Sequence, residues 1–361
     1  MKTKLMDNLY MAWAIGSKDI VDALKNKATR TNIILMAGLV VFFWWASTLR
    51  PFDKRNDTAV YDEGNSSLTS GTVELADGYT FRFYKAASVH EMERMMGYKQ
   101  LGVVIPADFD QTLASGDEAT LTGYVLWVHR ARAAELEAKY SAKFTELLGQ
   151  PVRVEIGENF VIPAPDVETS GVHFHILFAT LFITITLVPA LMMEEKRTKT
   201  LDALLVSPAS AGQVVLGKAL AGLFYVLLGG GLFFALNWAY VTNWGLALLA
   251  FLAFLGCAMF SIGLALALGS FIRSRQHMVI WMLPVMFVLI IPAFFSQEPN
   301  LAPGLKAVFS WLPTSALVRI FQFSMSSSAP LDQLLTNLAI ALGGIVLVFA
   351  AVTWKVRRAD R

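Results

Sequence analysis

The sequence predicts a polytopic α-helical membrane protein with six transmembrane helices and an α/β extracytoplasmic domain inserted between helices 1 and 2. Three observations predict it. Of the 361 residues, 55% are hydrophobic and the mean hydropathy is +0.51, well outside the soluble range. Those apolar residues concentrate in runs near the length of about 20 residues that a helix needs to cross a bilayer core. Between the first and second runs lies a polar insertion of roughly 120 residues, enough to bury a core of its own.

Residues 1–31 carry Lys2, Lys4, Lys18, Lys25, Lys27 and Arg30, with Ile15, Ile20, Val21 and Leu24 at near-helical spacing. This reads as a cytoplasmic amphipathic segment, either an interfacial helix or a basic tail. Residues 32–49 form the first span, with Trp44 and Trp45 near its outer end. The polar lead-in and the lack of a small-residue cleavage site predict an uncleaved anchor.

The insertion, residues 50–170, shows period-two alternation at Tyr79 to Tyr84 and a continuous apolar run at Leu101 to Ile105. Both read as strands, with a third expected at Ala119 to Val128 and helices at Val89 to Met96 and Ala131 to Leu148. Residues 171–361 then hold the remaining spans: Val172–Met193, Val214–Tyr240, Leu246–Phe271, Met278–Phe295 and Leu334–Trp354. Lys196, Arg197, Lys199, Arg273 and Arg275 sit in the links after the second and fourth spans, and Lys355, Arg357, Arg358 and Arg361 follow the sixth. The link Val241–Gly245 has no basic residue. This asymmetry places both termini in the cytoplasm and residues 50–170 outside. Residues 301–323 are apolar but broken by Pro303, Gly304 and Pro313, which predicts a re-entrant or interfacial hairpin.

Several function classes lose support. A net charge of +2 supplies no basic field for nucleic acid. The single cysteine, Cys257, excludes a disulfide within the chain or a cysteine-based metal site. His173 and His175, two residues apart, point to different faces of a helix and make no shared metal site. The acids of the insertion, among them Asp62, Glu63, Asp108, Asp110, Asp117 and Glu118, have no metal-binding or catalytic spacing. Gly212 to Lys218 matches G-x-x-x-x-G-K, but Ala219 stands where a magnesium-binding hydroxyl belongs and no strand precedes it. No catalytic, cofactor or metal site is therefore expected on this chain. Ionisable residues are nearly absent from the spans, which disfavours an ion-coupled transporter.

The most polar run of the second half is residues 194–208, between the second and third spans. Leu201, Leu204, Leu205 and Pro208 are spaced i, i+3, i+4, i+7, so a short amphipathic helix ending near Pro208 is expected. Glu195, Thr200, Leu201, Asp202, Leu204, Leu205, Ser207 and Pro208 resemble the E-x-x-x-G-T-L-E-x-L-L-x-[ST]-P signature of ABC transporter permeases of the ABC-2 type. Lys199 stands where that family has Gly, and Arg197 where an acidic residue is common. The run Ala59 to Ser67, the segment Val104-Ile105-Pro106 with Phe109, Leu113 and Gly116, and Leu312-Pro313-Thr314 followed by Arg319 resemble further pieces of the same family.

The resemblance implies an exporter membrane subunit of the bacterial inner membrane. It implies pairing with a second permease subunit, identical or related, and a separate ABC ATP-binding subunit that carries ATP and magnesium. It assigns the coupling contact to Glu194, Glu195, Thr200, Leu201, Asp202, Leu204, Leu205 and Pro208, and a re-entrant element to Pro313 and Arg319. For Arg319 a substrate contact and a snorkelling interfacial cation both stay open. So do two other classes for the chain: a receptor or scaffold with a partner-binding outer domain, and an ion-coupled transporter.

Overall fold

A computed structural model describes residues 2–25, scattered positions from 27 to 42, and residues 55–165 apart from 65, 67, 69, 70 and 98. It further describes 172–198, 210–236, 238, 244–272, 275–296 and 301–359. The expected first span falls largely outside these residues, as does 199–209.

Helix α1 (Lys2–Lys25) opens the chain. Residues 55–161 then form a mixed α/β unit with strands β1 (Arg55–Asp62), β2 (Gly71–Glu74), β3 (Thr80–Ala86), β4 (Leu101–Ile105), β5 (Ala119–Leu126), β6 (Val152–Glu155) and β7 (Phe160–Val161). Its helices are α2 (Val89–Met95), α3 (Phe109–Ser115) and α4 (Ala133–Leu148). The strand order is β2-β3-β1-β4-β5-β6, with β7 pairing β5 off this path. Strand β1 runs parallel to both β3 and β4, so α2 is the crossover that lets β3 and β4 lie on either side of it. The β5–α4–β6 unit is a second parallel crossover.

The alternation in β3 sets its packing. Phe81 and Phe83 are buried while Arg82 and Tyr84 are partly exposed. Phe81 stacks on Phe83 at 5.5 Å between centroids and meets Phe144 of α4 at 5.0 Å. Leu121 and Val125 of β5, and Val152 and Val154 of β6, complete that face. The opposite face is closed by Met92 of α2 against Ala59 and Ala86. At the end of β5 the strand period stops: Trp127–Arg132 turns into a 3-10 helix, where alternation in the sequence suggests two more strand residues. Ser88 caps α2 by accepting from Glu91 N–H, while the Glu91 carboxylate accepts from Ala87 N–H at 2.7 Å, an S-x-x-E pattern.

One surface cluster makes the unit pH-sensitive. Lys143 donates to Asp77 at 2.6 Å and to Glu146 at 2.9 Å. The hydrogen bond from Lys143 holds the Asp77 carboxyl below its ordinary 3.8, and the same bond holds the Lys143 ammonium above its ordinary 10.5. A depressed carboxyl contributes stability at neutral pH that is lost as pH falls below 3.8 through the folded-state value. A raised ammonium contributes stability that is lost as pH rises above 10.5. Lys143→Met is therefore expected to lower the melting temperature of this unit slightly at neutral pH and by less at pH 3. An equal shift at both values would show that the lost group acts through packing alone.

The second half of the chain is helical. It comprises α5 (Val172–Thr198), α6 (Ala211–Leu236), α7 (Trp244–Phe271), α8 (Arg275–Phe295), α9 (Pro303–Ser310), α10 (Pro313–Ser324) and α11 (Leu331–Ala359). Three described helices are long and apolar enough to cross a membrane: Ala211–Leu236, Gly245–Phe271 and Leu331–Arg358. Shorter apolar stretches run over Ile176–Pro189 and Ile280–Phe295. Helix α7 is the hub, packed by α5, α6, α10 and α11. Small residues allow the close approaches: Gly222 of α6 faces Val188 and Ile262, and Gly263 of α7 faces Phe349 and Val348 of α11. Residues 301–323 form two short helices, α9 and α10, each opening on a proline at its first turn, where the missing N–H costs nothing.

Candidate functional site

The charged segment between the second and third predicted spans is reached from two well-built helices. Helix α5 does not stop at Met193 but continues through Glu194, Glu195, Lys196 and Arg197 to Thr198. Glu194 and Glu195 are thus helical and continuous with the preceding apolar turns. Thr200, Leu201, Asp202, Leu204, Leu205 and Pro208 lie outside the described residues. The described chain resumes at Ser210, whose N–H donates to Gln213 Oε1 at 2.6 Å while Gln213 N–H donates back to Ser210 Oγ at 3.3 Å. This reciprocal cap, legible as S-x-x-Q, fixes where α6 begins. Helices α5 and α6 pack against each other, so the helices on either side of residues 199–209 are neighbours in one bundle.

The G-x-x-x-x-G-K stretch lies on α6, with Val214 N–H already donating to Ser210 C=O. Its later amides belong to the helix ladder instead of turning towards a phosphate. Lys218 has a different task. Its ammonium is fully buried and donates to Asp19 Oδ2 of α1 at 3.1 Å. Close by, Tyr225 Oη donates to Ile20 C=O at 3.2 Å. The two helices cross on glycines: a Cβ at Gly217 would stand 2.8 Å from Ala12 C=O and from the Ile15 side chain, and one at Gly16 would stand 2.8 Å from Gly217 C=O. Lys218 is thus one of the few ionisable groups inside a predicted span. The available signal was a lysine two turns inside an apolar run, which calls for an acidic partner.

Pro313 opens α10 against Gly344 of α11, where any side chain would collide with the proline ring. Thr314 Oγ1 donates to Leu289 C=O at 2.9 Å and ties α10 to α8. Arg319 lies on the same helix, partly exposed between the buried Val318 and Ile320. Among the described residues no hydrogen bond or ion pair joins Pro313 or Arg319 to Glu194–Thr198. Among the described residues no group of three or more His, Cys, Asp or Glu could hold a metal ion.

A bundle of apolar helices around α7, interrupted by a charged link and joined to an α/β unit, is the architecture of a membrane permease, and comparison with known proteins gives the family. Residues 27–354 match the family described as ABC-2 family transporter protein, and the chain belongs to it. It is 26% identical over 310 residues to the probable multidrug ABC transporter permease YbhR of Escherichia coli strain K12, covering 79% of this chain and 80% of the relative. The same figures hold for YbhR of Escherichia coli O157:H7. The protein is thus a transporter membrane subunit of the ABC-2 type.

Proposed function

We propose that this chain is the permease of an ATP-driven exporter, energised by a separate ABC ATP-binding subunit that docks on residues 194–208. In this reading the protein crosses the membrane six times, keeps both termini in the cytoplasm and holds residues 50–170 outside. Two permease subunits, identical or related, enclose the path, and two ATP-binding subunits drive them. No ATP or magnesium binds to this chain itself. A drug-like cargo, suggested by the name of the YbhR relative, is the first substrate class to assay.

The observation that supports this reading most is the continuity of α5 into its charged end. A helix that runs unbroken from the bundle into Glu194–Thr198 transmits displacement at its tip to its packed turns, as a flexible loop would not. The capped start of α6 at Ser210 gives the returning chain an equally firm anchor. Glu195 then offers charge to the soluble partner, and Leu201, Leu204 and Leu205 hold the segment against the permease.

Purification of the tagged chain from its native membrane tests the proposal. An ATP-binding subunit is expected to co-purify, and ATP hydrolysis is expected to follow that subunit. The permease alone is expected to bind no ATP. ATP affinity of the isolated chain that vanishes in Lys218→Ala would refute the division of labour.

A further inference from the structure

Helix α1 holds to the bundle in an unusual way. Its large apolar side chains, Met6, Leu9, Tyr10, Trp13, Val21 and Leu24, are exposed. Among the described residues, the face it turns to α6 buries Ala12, Gly16 and Asp19, with the half-buried Ile15 against Gly217. Small residues at this contact leave the register of α1 on α6 to close backbone approach and to charge. What fixes it is the Gly16–Gly217 crossing and the ion pair one turn further on. Lys218 is 0% exposed and the Asp19 side chain 10%, so each charge helps compensate the burial of the other. Removing Asp19 would take from the buried ammonium the carboxylate it donates to.

The place of this contact matters. Lys218 lies two turns into α6, directly after the segment between α5 and α6, and α1 is the element packed on those turns. We infer that Asp19 and Lys218 are positioning residues, a buried latch through which the N-terminal helix sets the entry of α6 and so the seat of residues 194–208 for the ATP-binding subunit. This rests on the coupling role given above to residues 194–208. Neither residue touches the ATP-binding subunit. They act through the helix on which that segment is hung.

The test uses the full chain with its ATP-binding subunit in native membranes. The quantity read is ATP-binding subunit retained per folded permease after mild detergent extraction. Asp19→Asn and Lys218→Met are each expected to insert and to elute as a monodisperse permease, yet to retain roughly tenfold less partner, a loss typical of a broken side-chain coupling. The exchange Asp19→Lys with Lys218→Asp, which rebuilds the pair in reverse, is expected to restore most of the retention. A purely structural role would change the amount of folded permease without changing partner per permease. Glu195→Lys serves as the control for the coupling segment. Wild-type retention in Asp19→Asn alongside loss in Glu195→Lys overturns the latch and leaves the coupling reading standing. Full retention in both variants overturns both. Loss in the single variants that the exchange does not restore also overturns the latch. Should Asp19→Asn fail to accumulate, Asp19→Glu keeps the charge on a longer arm and is expected to fold with reduced retention. Unchanged retention there overturns the proposal.

Discussion

With Glu195 replaced by Lys, the permease is expected to insert and pair normally but to lose ATP-driven transport and to retain less of its ATP-binding subunit. Glu195 lies on the last turns of α5, beyond the apolar part of that helix. Reversing its charge at a partly desolvated contact sets like charges against each other and strands the partner's cation, which costs several kcal/mol at interfaces. Leu204→Asp is expected to give the same loss by a different route, since a carboxylate on the apolar side of the segment resists being held against the permease. The two variants separate contact from seating: Glu195→Lys weakens the grip on the ATP-binding subunit, and Leu204→Asp displaces the surface that is gripped. Transport at the wild-type rate in both, at normal expression, would remove residues 194–208 from the mechanism.

Phe144→Ala is expected to destabilise the α/β unit by roughly 3–5 kcal/mol, the range for truncating a large buried aromatic. Phe144 is fully buried and closes the cluster with Phe81 and Phe83 from the far side of the sheet face. A loss of that size is a large part of the stability of a unit this small. Amide exchange in β1, β3 and β4, measured in the full chain, is expected to accelerate by about two to four orders of magnitude, while α6 and α7 are unaffected. Unchanged exchange in β3 would mean that the Phe81 and Phe83 core does not depend on α4. Acceleration spreading into α7 would mean that the α/β unit and the bundle unfold together.

Much of the α/β unit was legible because its strands are half-buried. The alternation of Phe81 and Phe83 with Arg82 and Tyr84 marks β3, and the apolar run Leu101 to Ile105 is β4 to the residue. The strand expected to reach Val128 ends at Leu126, because Trp127–Arg132 winds into a 3-10 helix. Strand β2 escaped notice for a physical reason: all four of its residues are exposed, so selection for burial leaves no pattern in them. In the bundle, α7 and α11 coincide closely with apolar runs, since every face of a helix in lipid or packed among helices is apolar. The start of the amphipathic helix expected over residues 194–208 is continuous with α5 through Thr198, because polarity alone does not reveal that a helix continues.

By itself the sequence determined the membrane class, the family and the position of the charged segment, because these depend on local composition and on motifs read along the chain. Only the tertiary structure decided the use of Lys218. In the sequence it sits in a phosphate-loop pattern without context, and Asp19 sits in a basic tail. Their meeting spans 199 positions and depends on Gly16 and Gly217 letting two helix backbones approach. Pairing at that separation is a property of packing, and no local pattern encodes it.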